Sequence, residues 1–162
     1  MAQGPDPAAW ESNFRLDVLG AVNAFHAARP FLEKAAEENG DAAFVIISSV
    51  SAAETDNASS YGSIKAALIH HAKGLARQFA AKHIRTNVVS PGTVYFKGGV
   101  WNMIETNMPA VFKGAMERNP MGRMATPQDI ANAAVFLASP ASSFTTGINM
   151  LVDGSISRRV NF

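Results

Sequence analysis

Apolar and polar positions alternate along this chain in blocks whose spacing changes from helical to extended and back. Asp6 followed by Pro7 is a favoured helix entry, with Glu11 near the positive end. Phe14, Val18, Val22 and Phe25 then recur at helical spacing. With Leu19, Ala21, Ala28, Phe31 and Leu32 added, the apolar surface is wider than one face, which predicts a helix buried on two sides. Pro30 is expected to bend it, and Gly40 after Glu37, Glu38 and Asn39 to close it. Residues 1–11, with two prolines and a glycine, are expected to begin as a loop.

Ala43 to Ile47 is a short, continuous apolar run, the pattern of a strand covered on both faces in a parallel sheet. A polar stretch from Ser48 to Ser60 leads into a helix over about 59–83, whose stripe is Ile64, Leu68, His71, Leu75 and Phe79. Its small residues, among them Gly62, Ala66, Ala72 and Ala76, permit close approach of another backbone. Ile84 to Val89 is the next strand, closed by Ser90-Pro91-Gly92, so strand, helix and strand form a right-handed crossover. Residues 96–124 contain Gly98-Gly99, a helical stretch near Met108 to Arg118 and Asn119-Pro120; an excursion of this length predicts a substrate lid. Thr126-Pro127 caps a helix to Leu137, and Ile148 to Val152 is a last strand. The 162 residues read as one α/β domain, or part of one.

Composition narrows the function classes. Lys and Arg number 14 against 13 Asp and Glu, which gives no electrostatic footprint for nucleic acid. The longest apolar run falls far short of the ~20 residues of a membrane span, and the amino terminus lacks a signal-peptide pattern, so a cytoplasmic location away from membranes is expected. With no cysteine, no clustered acids, and His70 and His71 on different sides of a helix, no metal site is expected. His71 reads as a core or interface histidine.

Candidate chemistry gathers where the strands end. Tyr61 and Lys65 are four apart at the start of a helix, so they project from one face. An ammonium beside a phenol stabilises the phenolate and makes the pair a usable proton donor and acceptor. Ser48 and Ser49 end the preceding strand, and Ser90-Pro91-Gly92 ends the next, at the carboxyl edge where open α/β sheets hold ligands. Gly92, lacking Cβ, would let backbone amides approach a flat ring.

Together the runs Val45 to Ser51, Tyr61-Gly62-Ser63-Ile64-Lys65-Ala66-Ala67 and Arg85 to Gly92 resemble the short-chain dehydrogenase/reductase family. Pro120 to Arg123, Pro127 to Ala131, Phe136 to Ser139, and Gly147 with Val152-Asp153-Gly154 extend the resemblance over nearly the whole chain. It implies a Rossmann-like doubly wound parallel sheet and an NAD- or NADP-dependent oxidoreductase acting on a small-molecule carbonyl/alcohol pair. Tyr61 would be the acid/base; Lys65 would activate it and contact the nicotinamide ribose; Pro91, Gly92 and the backbone around Val94 would hold the nicotinamide. A strand-end serine would orient the substrate oxygen. The family's usual separation points to Ser48 and the local pattern to Ser49, and Ser49 is preferred because a one-residue loop deletion is easier to absorb than a strand residue turned over.

Two departures stand out. Asp17 occupies the place of a family asparagine that links the lysine to a water chain, and Phe96 that of a threonine. The family's glycine-rich turn, its NAD/NADP-selecting residue and its Asn-Ala-Gly-like turn have no counterpart in these 162 residues, so the chain resembles the C-terminal half of a member. The apolar strand would then present an open edge. Two expectations follow: an oxidoreductase completed by a further segment, or a non-catalytic truncated fragment that retains oligomerisation helices and lid. The resemblance further implies a homodimer or homotetramer through the helices at 7–38 and 59–83.

Overall fold

The computed structural model describes residues 6–55 and 59–160; residues 1–5 of the amino-terminal stretch expected to begin as a loop, and 56–58 of the polar stretch, lie outside them. Three parallel strands, β1 (Ala42–Ile47), β2 (Ile84–Pro91) and β3 (Asn149–Val152), form a sheet in the order β1-β2-β3. Helices α1 (Pro7–Asn13) and α2 (Gly20–Asn39) precede β1, and α3 (Ser60–Phe79) crosses from β1 to β2. Next come α4 (Val100–Asn107), α5 (Pro109–Glu117) and α6 (Pro127–Ala138). This is the Rossmann-like α/β arrangement expected.

Local chemistry sets the ends of these elements. Asp6 caps α1 by accepting from the Ala8 amide, with Pro7 at the first helical position. Gly40 closes α2 at φ +76°, a left-handed conformation that glycine adopts without a Cβ penalty. Thr126 and Asp129 form a reciprocal capping box on α6. Between α1 and α2 lies a π-helical segment, Phe14–Leu19, that the helical periodicity did not reveal. Pro30 sits inside α2, which continues through it.

The core lies between the sheet and the pair α2/α3. Phe25 of α2 meets Phe44 of β1 edge-on at 5.3 Å and Phe79 of α3 at 5.1 Å, with Ile84 and Leu75 closing the cluster. Ile46, Leu68, Ala72 and Val88 continue it towards the carboxyl end of the sheet. Register places Ala42 opposite Ile84 and Ile47 opposite Val89, so the ends of β1 and β2 finish together. On the other face Arg85 is 4% exposed, and all five of its N–H donors are used: two on the Asp41 carboxylate, the others on the Leu137 and Ser139 carbonyls and Ser142 Oγ. It ties the start of β1 to the end of α6.

Several expectations are corrected. The first helix buries only Phe25 and Ala36 within α2, whereas Leu16 and Phe31 are three-quarters exposed, so its second apolar side has no cover among the described residues. Strand β1 is likewise half-covered: Ala42 and Ile46 are buried, Ile47 is exposed, and no strand pairs its outer edge among the described residues. β2 runs on to Pro91. The segment at 96–124 carries two helices, because Gly98 at φ +82° turns the chain and Gly99 caps α4; the paired glycines had suggested only loop.

Candidate active site

The carboxyl ends of β1 and β2 and the first turns of α3 bring the candidate residues to one edge. Ser48 is buried at 3% exposure; its amide bonds to the Val89 carbonyl, and its hydroxyl donates to the Lys65 carbonyl at 2.8 Å. Ser49 follows in extended conformation and caps a short 3-10 turn, Val50–Ala53, its Oγ accepting from the Ser51 amide at 3.2 Å. The Ser48 hydrogen is thus occupied inside the protein, whereas that of Ser49 has no acceptor among the described residues.

Ser59 caps α3 through the Gly62 amide, which starts the helix immediately before Tyr61. At Gly62 a Cβ would lie 2.7 Å from the Ser51 carbonyl oxygen, so only glycine lets α3 approach the turn that carries Ser49. Tyr61 is 39% exposed, with the Lys65 ammonium 5.5 Å from its ring centroid. Lys65 Nζ donates to Asp17 Oδ1 at 2.9 Å. Asn13, one turn earlier, donates to Oγ of Ser60, which is fully buried. Asn13 and Ser60 were not singled out from the sequence, because their bond joins residues 47 positions apart.

Beyond β2, Gly92 donates its amide to the Val152 carbonyl, and a Cβ there would lie 2.9 Å from Asp153 Cα. The glycine is therefore required by packing against the end of β3, and not only by approach of a ring. Val94 pairs with Ala125 in a parallel bridge made by Tyr95 N–H to the Ala125 carbonyl and Ala125 N–H to the Thr93 carbonyl. Both bonds leave the amide and carbonyl of Val94 itself directed away from Ala125.

The same segment fastens the excursion that follows. Thr93 donates to Asn119 Oδ1 at 3.1 Å, while the Tyr95 hydroxyl donates to Glu105, accepts from Asn102 and packs its ring against Phe112. The hydrogen bond to Glu105 pushes the Tyr95 phenol above its ordinary range. Phe96 is half exposed, its ring against Gly99. Asp129, bonded by Arg123 and by the Thr126 backbone and hydroxyl, is held well below the usual carboxylate range.

A cleft of about 280 Å³ runs beside β1, lined by Asp17, Gly20, Ala24, Phe44, Ile47 and Leu68 among others. It follows the open strand edge. No group of three or more metal-ligating side chains occurs among the described residues, and none of their helices is long and apolar enough to cross a membrane.

The family described as enoyl-(acyl carrier protein) reductase matches residues 4–157. Isoepoxydon dehydrogenase of Penicillium expansum is 40% identical over 149 residues, covering 91% of this chain and 56% of its own length. Among solved structures, an oxidoreductase of the short-chain dehydrogenase/reductase family from Burkholderia thailandensis superposes with a TM-score of 0.84 at 30% identity, over 96% of this chain and 61% of that one. The NADPH-bound short-chain oxidoreductase of Pseudomonas aeruginosa, described as containing an atypical catalytic centre, gives 0.82 at 26% identity, over 99% and 64%. The chain spans about half the length of the curated relatives it matches.

Proposed function

The chain belongs to the short-chain dehydrogenase/reductase family, and from that premise we propose that it carries the acid/base half of an NAD- or NADP-dependent oxidoreductase that interconverts an alcohol and a carbonyl. The observation that carries this reading is the placement of the Lys65 ammonium 5.5 Å from the Tyr61 ring at the carboxyl edge of the sheet.

The residues present fit the nicotinamide end of such a cofactor. Lys65 keeps two donors beyond Asp17 for ribose hydroxyls, and the Val94 amide and carbonyl, not used in the bridge to Ala125, would be the groups to hold the carboxamide. When bound, the nicotinamide supplies or accepts the hydride. Tyr61 gives its phenolic proton to the substrate oxygen as a carbonyl is reduced, and takes it back as an alcohol is oxidised. Ser49, with its hydrogen available, orients that oxygen, and the Lys65 charge stabilises the phenolate. The lid over 96–124 forms the substrate wall.

Fluorescence titration of the purified chain with NADH and NADPH tests the reading. Binding at millimolar concentration or tighter is expected; its absence, together with no turnover, assigns this polypeptide to the second reading. That second reading, a non-catalytic fragment, is favoured by the outer edge of β1, which no strand pairs among the described residues, and by the exposed Ile47. The exposed Phe14, Leu16, Val22 and Phe31 support assembly as a homodimer or homotetramer through the 7–38 and 59–83 helices. A mass of 17 kDa by light scattering would contradict that assembly.

A further inference from the structure

The excursion at 96–124 leaves the body of the domain through a closed neck. Tyr95 N–H donates to the Ala125 carbonyl at 2.8 Å and Ala125 N–H to the Thr93 carbonyl at 2.9 Å, so the chain departs and returns at the same place. Beyond the neck, α4 and α5 pack mainly on each other and not on the sheet or on its flanking helices. Two short helices attached to a domain chiefly at their ends keep a fixed position only through side chains that reach them from the neck.

Those side chains come from two residues of the neck itself. Thr93 and Tyr95 are two apart in extended backbone and so leave it on the same side. Thr93 donates to Oδ1 of Asn119, which lies just past α5, is 6% exposed, and gives its own side-chain amide to the Ala115 carbonyl. Tyr95 reaches both helices. Its hydroxyl donates to Glu105 and accepts from Asn102 Nδ2 at 3.1 Å, both in α4, and its ring meets that of Phe112 in α5 edge-on at 5.9 Å. A phenol has a single hydrogen to donate, and here that hydrogen and a lone pair are both used. Asn102 is held at its other end as well: its Oδ1 accepts from the Gly98 amide at 3.0 Å, within the turn where Gly98 stands at φ +82°. One tyrosine therefore touches α4 twice and α5 once, from a point of the chain that the bridge to Ala125 immobilises.

We infer that Tyr95 is the latch of this excursion: it holds α4 and α5 to the neck as one body, and freeing its hydroxyl lets the two helices open together. That the latch governs how often a substrate wall withdraws from the site rests on the oxidoreductase reading; the hold of Tyr95 on the two helices does not.

Hydrogen–deuterium exchange of the whole chain, followed by peptide mass spectrometry, tests the latch. Peptides from α4 and α5 report the excursion, and peptides from β2, which is buried along almost its whole length, are the internal control. Tyr95→Phe keeps the ring on Phe112 but removes a hydrogen bond to a charged acceptor, so exchange in both helices is expected to rise about fivefold, with β2 unchanged. Glu105→Gln leaves a neutral acceptor and should give a smaller rise. Because Tyr95 and Glu105 act through one bond, the double variant Tyr95→Phe/Glu105→Gln should exchange no faster than Tyr95→Phe alone. Trp101 of α4 supplies a second measurement: in a Trp10→Phe background it is the sole tryptophan, and its fluorescence should become more open to acrylamide quenching when Tyr95→Phe is added. Unchanged exchange in the excursion overturns the inference, and so does a rise confined to α4, which would mean that the helices do not move as one body. An equal rise in β2 would mean general loosening, and multiplied rates in the double variant would mean that the two side chains act independently; either result also overturns it. A wild-type chain that binds neither NADH nor NADPH defeats the oxidoreductase reading instead, and the exchange rates still decide whether Tyr95 is the latch.

Discussion

Ser48 and Lys65 are joined by a hydrogen bond from the serine hydroxyl to the lysine main-chain carbonyl, 2.8 Å long and shut away from solvent. The bond fastens the end of β1 to the first turns of α3 and removes Ser48 as a free donor at the sheet edge. Ser49, one residue on, keeps its hydrogen. The two adjacent serines should therefore answer differently to the same substitution. Ser48→Ala is expected to lose about 1 kcal/mol of stability in urea unfolding while retaining most turnover. Ser49→Ala is expected to lower kcat with little loss of stability. The reverse assignment of the two effects would make Ser48 the orienting serine.

Tyr61→Phe removes the only proton that the phenyl ring cannot replace. A general acid or base contributes about 10²–10⁴ in rate, so kcat should fall by that order while cofactor affinity stays close to wild type. Turnover retained by the variant, measured by absorbance of the reduced nicotinamide, would take Tyr61 out of the mechanism.

At Gly62 the constraint is steric. A methyl group would stand 2.7 Å from the Ser51 carbonyl oxygen, and backbone on both sides has to move. Gly62→Ala should destabilise the chain by about 1–3 kcal/mol and lower turnover by separating Tyr61 from the Ser49 turn. Gly74, with nothing near its absent Cβ, is the control: Gly74→Ala in the same helix should be neutral or stabilising.

Arg85 joins β1, β2 and α6 through five donors with five acceptors. Arg85→Met fills the space but strands the Asp41 carboxylate and three further acceptors. Removing one partner of a buried pair costs about 3–5 kcal/mol, which should appear as a large drop in the urea midpoint.

Acid should act on the same joint. The Arg85 hydrogen bonds, and secondarily its charge, hold the Asp41 carboxyl below its ordinary value, against the opposing effect of burial. A carboxylate lowered on folding contributes stability that is present above its unfolded value, about 3.9, and is lost as pH falls through the lowered one. Urea midpoints of the wild type should therefore decline from about pH 4 downwards. Asp41→Asn should be less stable at neutral pH and show a shallower decline in that range; an identical slope would place the acid-sensitive group elsewhere, with Asp129 the next candidate.

Periodicity along the chain was enough to place the strands, the crossover helix and the capped entries at Asp6 and Thr126, because capping and alternation are settled within a few residues. The ordered motifs likewise located Tyr61, Lys65 and the strand-end serines at one edge. The π-helical turn escaped that reading because a one-residue widening leaves the apolar spacing almost unchanged, and α4 escaped it because Gly98-Gly99 reads as loop until the segment at 96–124 packs.

By itself, then, the sequence determined which elements form and which residue types meet at the carboxyl edge of a parallel sheet. Only the tertiary structure decided how those residues divide their bonds: that Ser48 serves Lys65, that Asp17 holds its ammonium, that Gly62 clears the Ser51 carbonyl, and that Arg85 locks β1 to α6. Each joins residues of different elements, and donors, acceptors and empty space on separate elements acquire partners only when packing brings them within about 3 Å.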